Sequence, residues 1–194
     1  MGLFFVPISS VRCTRLATDR MDAMALTPTQ IVKLLNLQSP TTCGFVSDPY
    51  RSAWQVPQQA LPPGYEGSRP LGNVFYFLVT PEARVRLHRI RSDQMYHHYL
   101  GDPLETLLLY ADGRSEAKLV GSDLASGVRP QLFIPGGTFH TARVAAGSDY
   151  ALLGTSVWLR AEPADVEMGN AEELAAKFPQ ARELIAQFAQ CESH

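Results

Sequence analysis

The sequence has few of the cysteines that build small disulfide-rich or zinc-binding proteins. Its 194 residues include three, Cys13, Cys43 and Cys191, which lie far apart and form no C-x-x-C pair. An odd number of dispersed cysteines argues against a disulfide framework and against a zinc knuckle. We therefore expect reduced thiols in an intracellular protein, with the cytoplasm as the expected compartment.

The chain also lacks a strong charge of either sign and long apolar runs. Its net charge is −2, and no dense Lys/Arg patch offsets that balance. Nucleic acid is therefore not an expected partner. No apolar run is long enough to span a bilayer, so no membrane partner is expected either. A Gly-x-Ser-x-Gly elbow, a Walker loop and a dinucleotide fingerprint are all missing, which leaves those three chemistries without support.

The first 24 residues predict a leader separate from the domain that follows. Residues 1–20 hold three arginines against one aspartate, together with several Ser and Thr residues. That composition weakly resembles a mitochondrial transit segment, which makes a mitochondrial location the alternative to the cytoplasm. A disordered or strand-swapped leader is the other interpretation, and Met24 is an alternative start. One domain is predicted over residues 25–190.

Helices are predicted at both ends of that domain. Thr27 can cap a helix, Pro28 suits its first position, and Gln30 can reach back to the cap. Near the C-terminus Asn170 can cap a second helix. Proline is not tolerated inside a helix, so Pro179 predicts two short C-terminal helices that meet near residue 178.

Between residues 44 and 159 the sequence predicts β-structure. Short β-rich runs alternate with turn residues, and Asp112-Gly113 is a strong hairpin signal. Over residues 84–90, alternation places Val85 and Leu87 on one face and Arg86 and His88 on the other. Short strands at regular spacing without long intervening helices indicate an all-β sandwich or barrel.

Two segments carry residues suited to chemistry and lie far apart in sequence. One runs from His88 to Gln94, and the other is Pro135-Gly136-Gly137-Thr138-Phe139-His140, so that the two histidines are 52 residues apart. A small β-barrel brings strands from two hairpins around one interior. We therefore expect His88 and His140 to share a cavity. Gly136-Gly137 predicts a tight turn with positive φ.

These segments resemble the two motifs of the cupin superfamily. His88, then Gln94 and Gly101, resembles the first motif, and Pro135-x-Gly137-x-x-His140 resembles the second. Further stretches resemble an uncharacterised cupin-like family over roughly residues 27–190, with a barrel similar to that of dTDP-4-dehydrorhamnose epimerase. The resemblance implies a double-stranded β-helix, the cupin jelly roll, with short N- and C-terminal helices. It also implies a homodimer with one small-molecule pocket in each barrel.

The resemblance raises the question of a metal. A cupin metal normally takes about three imidazoles and one carboxylate. Here His88 and His140 supply two imidazoles, and Gln94 stands where the family pattern has Glu. His98 is a candidate third imidazole, since alternation places it on the strand face of Gln94. A divalent metal on His88, Gln94 and His140 is thus one prediction, and the cofactor stays open.

Acid–base chemistry without a metal is the leading hypothesis. Neutral imidazoles exchange protons near neutral pH. In epimerase-like cupins a His base and a Tyr acid work on opposite sides of a sugar ring, which implies His88 with Tyr96, and His140 as an alternative base. The predicted reaction is epimerisation or isomerisation of a sugar or acidic metabolite. A metal-dependent oxygenase or isomerase and a non-catalytic ligand-binding or sensor protein are the alternatives. The predicted ligand contacts are Gln94, His98, Arg51, Arg69, Phe75 and Phe139.

Overall fold

Two antiparallel sheets form the body of the protein. The structure, a computed structural model, describes residues 26–189, so the predicted leader and the thiols of Cys13 and Cys191 lie outside the described residues. The first sheet consists of β1 (Gln38–Thr41), β2 (Gly44–Val46), β3 (Tyr50–Arg51), β6 (Asn73–Val79), β8 (Asp93–Gly101), β11 (Gln131–Ile134) and β13 (Ala151–Trp158). Its strand order is β1-β2-β6-β13-β8-β11, with β3 beside β6.

The second sheet faces the first and consists of β7 (Val85–Ile90), β9 (Leu104–Leu109), β10 (Ser115–Val120), β12 (Phe139–Val144) and β14 (Val166–Met168). Its strand order is β10-β9-β12-β7-β14. A separate small hairpin pairs β4 (Gln55–Val56) with β5 (Arg69–Pro70). The predicted hairpin at Asp112-Gly113 is confirmed, since β9 and β10 pair around it.

Helices lie at the N-terminal and C-terminal ends of the domain's sequence, as predicted. Helix α1 (Pro28–Leu34) begins with a capping box in which the Thr27 side chain accepts from the Gln30 backbone N–H. Helices α2 (Ala171–Lys177) and α3 (Arg182–Ala189) are separated by a 3₁₀ turn that starts at Pro179. Among residues 26–189, no helix combines the length and the apolar character that crossing a bilayer requires.

Alternation along the strands separates an inner core from two outer ones. The inner core lies between the sheets and includes Phe77, Tyr96, Leu108, Leu132 and Leu153. One outer core packs α2 and α3 against the second sheet, and the other packs α1 against the first. The predicted all-β jelly roll with terminal helices is therefore confirmed.

Strand β7 departs from the alternation that its sequence predicts. Its register to β12 pairs His88 with His140 but Val85 with Ala142, so one strand carries an extra residue there. Such a bulge reverses the facing of the residues beyond it. Val85 lies in the inner core, whereas Leu87 packs outward against the C-terminal helices. The prediction that these two share a face is wrong.

Candidate functional site

The structure brings the two predicted histidines together inside the barrel. His88 and His140 are paired across β7 and β12, and their ring centroids lie 4.3 Å apart. His88 is 3% exposed and His140 is fully buried. The bulge in β7 makes this contact possible, because it turns His88 inward beside His140.

Each imidazole is held by the backbone carbonyl of the residue two positions earlier in the chain. His88 Nδ1 lies 2.7 Å from the Arg86 carbonyl oxygen, and His140 Nδ1 lies 3.3 Å from that of Thr138. A carbonyl only accepts, so both Nδ1 atoms are assigned the proton and both Nε2 atoms carry a lone pair. The site therefore presents two oriented proton acceptors.

The lone pair of His140 faces two donors on β8. Tyr96 Oη donates to His140 Nε2 at 3.0 Å, and the Gln94 amide lies 3.3 Å from the same nitrogen. Within residues 26–189, no hydrogen bond reaches His88 Nε2. His88 is therefore the imidazole whose lone pair is available to a ligand.

Burial keeps these groups in their neutral forms. It lowers the pKa of His88, and it lowers the pKa of His140 well below the usual value, where the neighbouring His88 adds to the effect. Burial also raises the pKa of Tyr96 well above its usual value. At neutral pH the site therefore holds two uncharged bases and a protonated phenol.

A thiol lies close to this cluster. Cys43 is partly exposed as a residue, yet its side chain packs against the inner core and its backbone bridges Val85. Burial raises the pKa of the thiol to about 12. Cys43 is therefore an un-ionised neighbour of Tyr96 and not an activated nucleophile.

The glycine turn before β12 sets where His140 enters the barrel. Gly137 has a φ of 78°, which confirms the predicted positive φ. A Cβ on Gly136 would lie 2.3 Å from the Arg91 carbonyl oxygen, so the chain passes too closely there for a side chain. Asp93 accepts a hydrogen bond of 2.7 Å from the Gly136 N–H, so this carboxylate holds the turn and does not orient a histidine.

The donor set does not fit the four-ligand metal site that the family pattern implies. His140 Nε2 already accepts from Tyr96, and the side chain of Gln94 turns its amide nitrogen toward it. Within the described range, no three His, Cys, Asp or Glu side chains form a group able to hold a metal ion. The metal on His88, Gln94 and His140 stays a prediction, and no step below runs through it.

Two of the predicted ligand contacts, His98 and Phe139, make other contacts in the structure. His98 donates from Nε2 to the Asp102 carbonyl oxygen at 3.0 Å, so this nitrogen cannot serve as a third metal ligand. Phe139 packs outward against α2 and α3, because adjacent residues of a strand point to opposite faces. As ligand contacts both residues stay predictions, with His98 Nε2 engaged by a backbone carbonyl and the Phe139 ring on the outer face.

The remaining predicted contacts are distributed around one end of the barrel. Phe75 packs against the inner core and is partly exposed there. Arg69 is buried and lies 3.5 Å from Asp165, which also faces Arg91 at 3.5 Å. Arg51 is exposed on β3. Of these, Phe75 is the contact that shares the interior with His88 and His140.

Sequence reasoning missed two polar residues on the inner face of the first sheet. Asn73 and Thr155 are buried on β6 and β13, where alternation turns them toward the interior. Both stand within runs that read as apolar strands, so no motif marked them. The alternation of those strands was the signal that could have found them.

A cavity of about 670 Å³ lies close to the cluster without including it. It runs along the facing edges of β10 and β11, and Tyr110, Leu119, Arg129, Leu132 and Phe133 are among its lining residues. Leu132 is paired with Tyr96 across β11 and β8. Leu132 therefore lines this cavity and is the neighbour of Tyr96 on the adjacent strand.

Comparison with known proteins supports the fold. A family model described as Cupin superfamily (DUF985) matches residues 29–168. A hypothetical protein from Leishmania major is similar, with a TM-score of 0.75 and 27% identity over 84% of this chain and 99% of that chain. Protein SO0799 from Shewanella oneidensis has a TM-score of 0.71 and 26% identity over 84% of this chain and 97% of its own. No curated protein matches.

Proposed function

The chain belongs to the DUF985 family of the cupin superfamily. We propose that it binds a small sugar-like or acidic metabolite inside the barrel and inverts one carbon centre of that metabolite or isomerises it. The finer likeness to dTDP-4-dehydrorhamnose epimerase remains part of this proposal. The observation that carries it is the 3.0 Å hydrogen bond from Tyr96 to His140, with the His88 ring in tilted contact with the same imidazole.

Oriented neutral bases next to a protonated phenol support acid–base chemistry. The anchored Nδ1–H groups fix both tautomers before a ligand arrives. Preorganised groups of this kind contribute to proton transfer because they need no reorganisation in the transition state. Of the two imidazoles, His88 is the proposed base, because no hydrogen bond within residues 26–189 reaches its Nε2 lone pair.

The proposed reaction moves one proton off a carbon and one proton onto it. His88 Nε2 takes the proton from a carbon next to a carbonyl or carboxyl group, and the electron pair passes to the carbonyl oxygen. Tyr96 Oη returns a proton to the other face of that carbon. The substrate keeps its composition while the carbon inverts. Proton exchange with water restores the neutral imidazole and phenol.

The ligand needs a way into the interior. The cavity along β10 and β11 supports one route, since its lining residue Leu132 also packs in the inner core that contains Tyr96. Cavities next to a barrel interior are frequent ligand sites in proteins.

Deuterium exchange tests the proposal directly. Wild-type protein is incubated in D₂O with D-glucuronate, D-galacturonate, pyruvate and succinate, and the loss of each C–H signal next to the carboxyl or carbonyl group is followed by NMR. We expect enzyme-dependent exchange with at least one probe, and its loss in His88→Ala and His140→Ala. Exchange that persists in both variants, or neither binding nor exchange with any probe, contradicts the proposal.

Binding without turnover is the second candidate. The observation that favours it is the neutral amide of Gln94 beside His140, where the family pattern has a carboxylate. This candidate predicts a ligand-dependent rise in the unfolding temperature without deuterium exchange. Any exchange that His88→Ala abolishes decides against it.

A further inference from the structure

Two buried polar atoms on the inner face of the first sheet have no hydrogen-bond partner within the described residues. They are Oδ1 of Asn73 and Oγ1 of Thr155. Buried polar groups in proteins are nearly always paired, so each exception needs an explanation. Both residues are uncharged, and neither has a role in the proton transfer proposed above.

The register of the sheet places both atoms beside the site. Thr155 on β13 is paired with Tyr96 on β8 and with Phe75 on β6. Paired residues on one face of a sheet have Cβ atoms about 5 Å apart. The Thr155 hydroxyl therefore lies in the same inward row as the Tyr96 phenol.

Asn73 lies in the next row toward the same end of the barrel. It is paired with Val157, and Val157 is paired in turn with Gln94. The inward face of the first sheet thus presents four polar side chains in two adjacent rows, and His88 and His140 face them from the second sheet. The four are Asn73, Gln94, Tyr96 and Thr155.

A second unpartnered hydroxyl, on the other sheet, serves as a comparison. Thr106 Oγ1 is also buried without a partner among the described residues. It lies between Leu104 and Leu108 on β9 and is paired with Ala142 on one side and with Lys118 of the edge strand β10 on the other, so it lies outside the polar rows of the first sheet. Thr106 therefore differs from Thr155 in its surroundings and not in its own chemistry.

We propose that Asn73 and Thr155 are specificity residues of the barrel, which accept hydrogen bonds from two hydroxyl groups of the ligand. This inference rests on the proposed function and narrows its substrate class. A carboxylate or phosphate oxygen cannot donate to Asn73 Oδ1, whereas a sugar hydroxyl can. The geometry thus favours a polyhydroxylated ligand over a plain organic acid.

The test separates binding from stability in matched variants. Thr155→Val and Asn73→Leu remove the two proposed acceptors. The control variant Thr106→Val removes the unpartnered hydroxyl on β9. Unfolding temperatures are measured without ligand, and affinities for D-glucuronate, D-galacturonate and succinate are measured by calorimetry. Replacing an unpaired hydroxyl by a methyl group of similar shape is nearly neutral or stabilising.

We therefore expect Thr155→Val and Thr106→Val to keep or raise the unfolding temperature of the free protein. Thr155→Val and Asn73→Leu should weaken uronate binding about tenfold each, as the loss of one hydrogen bond does. Thr106→Val should leave uronate binding unchanged. Thr155→Ser keeps a hydroxyl group and should therefore bind uronate as tightly as wild type. Succinate, which has no hydroxyl group, should bind all variants equally.

The remaining outcomes overturn the inference in distinguishable ways. Equal uronate binding by wild type and Thr155→Val, or equal weakening in Thr106→Val, removes the specificity role and leaves the proposed function intact. Binding of succinate or pyruvate but of neither uronate by the wild-type protein would likewise remove the specificity role and leave the proposed function intact. A marked fall in the unfolding temperature of Thr155→Val shows that the hydroxyl has a structural partner. A wild-type protein that binds no probe removes both proposals.

Discussion

At the scale of single residues, the Tyr96 hydroxyl is the donor on which the arrangement of His140 depends. Tyr96→Phe removes the 3.0 Å bond and leaves the Gln94 amide as the remaining donor to His140. We expect the free energy of unfolding to fall by about 1 kcal/mol, as for one lost neutral hydrogen bond. Proton exchange into the substrate should fall at least about 100-fold, because a positioned proton donor is lost.

Tyr110→Phe is the matched control for that change. Tyr110 also packs against the inner core, but its hydroxyl donates to Glu116 at 3.1 Å. Its loss should cost a similar free energy of unfolding and leave the exchange rate unchanged. Urea unfolding and deuterium exchange by NMR measure the two effects. Equal exchange rates in Tyr96→Phe and Tyr110→Phe would contradict the role of Tyr96.

The two buried imidazoles make stability depend on pH. Burial lowers the pKa of both His88 and His140 in the folded protein. An unfolded chain takes up their protons as the pH falls through about 6.5, while the folded state resists them. The free energy of unfolding should therefore be insensitive to these groups above that pH. Below it, stability should fall by up to about 1.4 kcal/mol per pH unit for each histidine.

Urea unfolding between pH 5 and 8 measures this slope. The variant His140→Gln should have a shallower fall below pH 6.5 than wild type, because one of the two linked protons is missing. Gln59→Ala changes an exposed uncharged residue and should keep the wild-type slope. Parallel curves for wild type and His140→Gln would show that His140 takes up its proton equally well when folded.

Residue 94 decides whether the pair of imidazoles can hold a cation. Wild-type protein should take up Co²⁺ only substoichiometrically, since Gln94 is neutral and turns its amide nitrogen toward His140. Gln94→Glu adds an anionic oxygen beside His140 Nε2, whose ring contacts His88, and imidazole with carboxylate is a donor set that suits cobalt and zinc. We expect this variant to bind Co²⁺ with visible absorption bands.

Gln131→Glu is the control for cobalt binding. It places a carboxylate beside a single imidazole, because Gln131 contacts His97 at 3.1 Å on the outer face of the sheet. This variant should bind no more Co²⁺ than wild type. Stoichiometric cobalt on the wild-type protein would instead show that the two imidazoles and the amide suffice.

At the scale of elements, the turn between β11 and β12 offers a comparison of two neighbouring glycines. An added Cβ at Gly136 meets the Arg91 carbonyl oxygen at 2.3 Å, while nothing lies within 4 Å of one at Gly137. Gly137→Ala should cost about 1 kcal/mol of unfolding free energy for its left-handed backbone alone. Gly136→Ala should cost about 3 kcal/mol, because backbone must move.

The two variants also differ in their effect on the site. Gly136→Ala should shift the NMR signals of His140, since the Gly136 N–H is held by Asp93 and the turn leads into β12. Gly137→Ala should shift them less. Equal unfolding free energies for the two variants would mean that the chain at Gly136 can relax without cost.

The elements themselves were predictable where local chemistry decides them. Thr27 and Pro28 fix the start of α1, and Pro179 divides the C-terminal helices, because capping and proline geometry act within a few residues. The bulge in β7 was not predictable. Its extra residue is defined only by the partner strand β12, and that pairing is not encoded in residues 84–90 themselves.

The candidate site was predictable in part for the same reason. The expectation that His88 and His140 share an interior rests on the spacing of two motifs, which the barrel topology brings together. The expected facing of His88 relative to Leu87 failed because of the bulge. Alternation could have marked Asn73 and Thr155 as inward polar residues, but their lack of hydrogen-bond partners within residues 26–189 is visible only in the folded structure.

At the scale of the whole molecule, the outer face of the first sheet is the surface to explain. Five large side chains, each 42–47% exposed, point outward from four of its strands: Val74, Tyr76, Tyr99, Phe133 and Trp158. Tyr76 and Tyr99 are in edge-to-face contact there, with ring centroids 5.8 Å apart. Monomeric proteins seldom expose apolar patches larger than a few hundred Å².

This surface leads us to predict a homodimer formed through the outer face of the first sheet. Analytical ultracentrifugation should give twice the 21.4 kDa mass of the chain. Tyr99→Lys should shift the protein toward monomer, because a charge in the centre of an apolar interface must be desolvated on association. Leu119→Lys changes a side chain that is 49% exposed but lies on β10 of the other sheet, and it should leave the mass unchanged. A wild-type protein with the mass of one chain would contradict the dimer. Equal loss of the dimer in Tyr99→Lys and Leu119→Lys would show that the dimer does not form through this face.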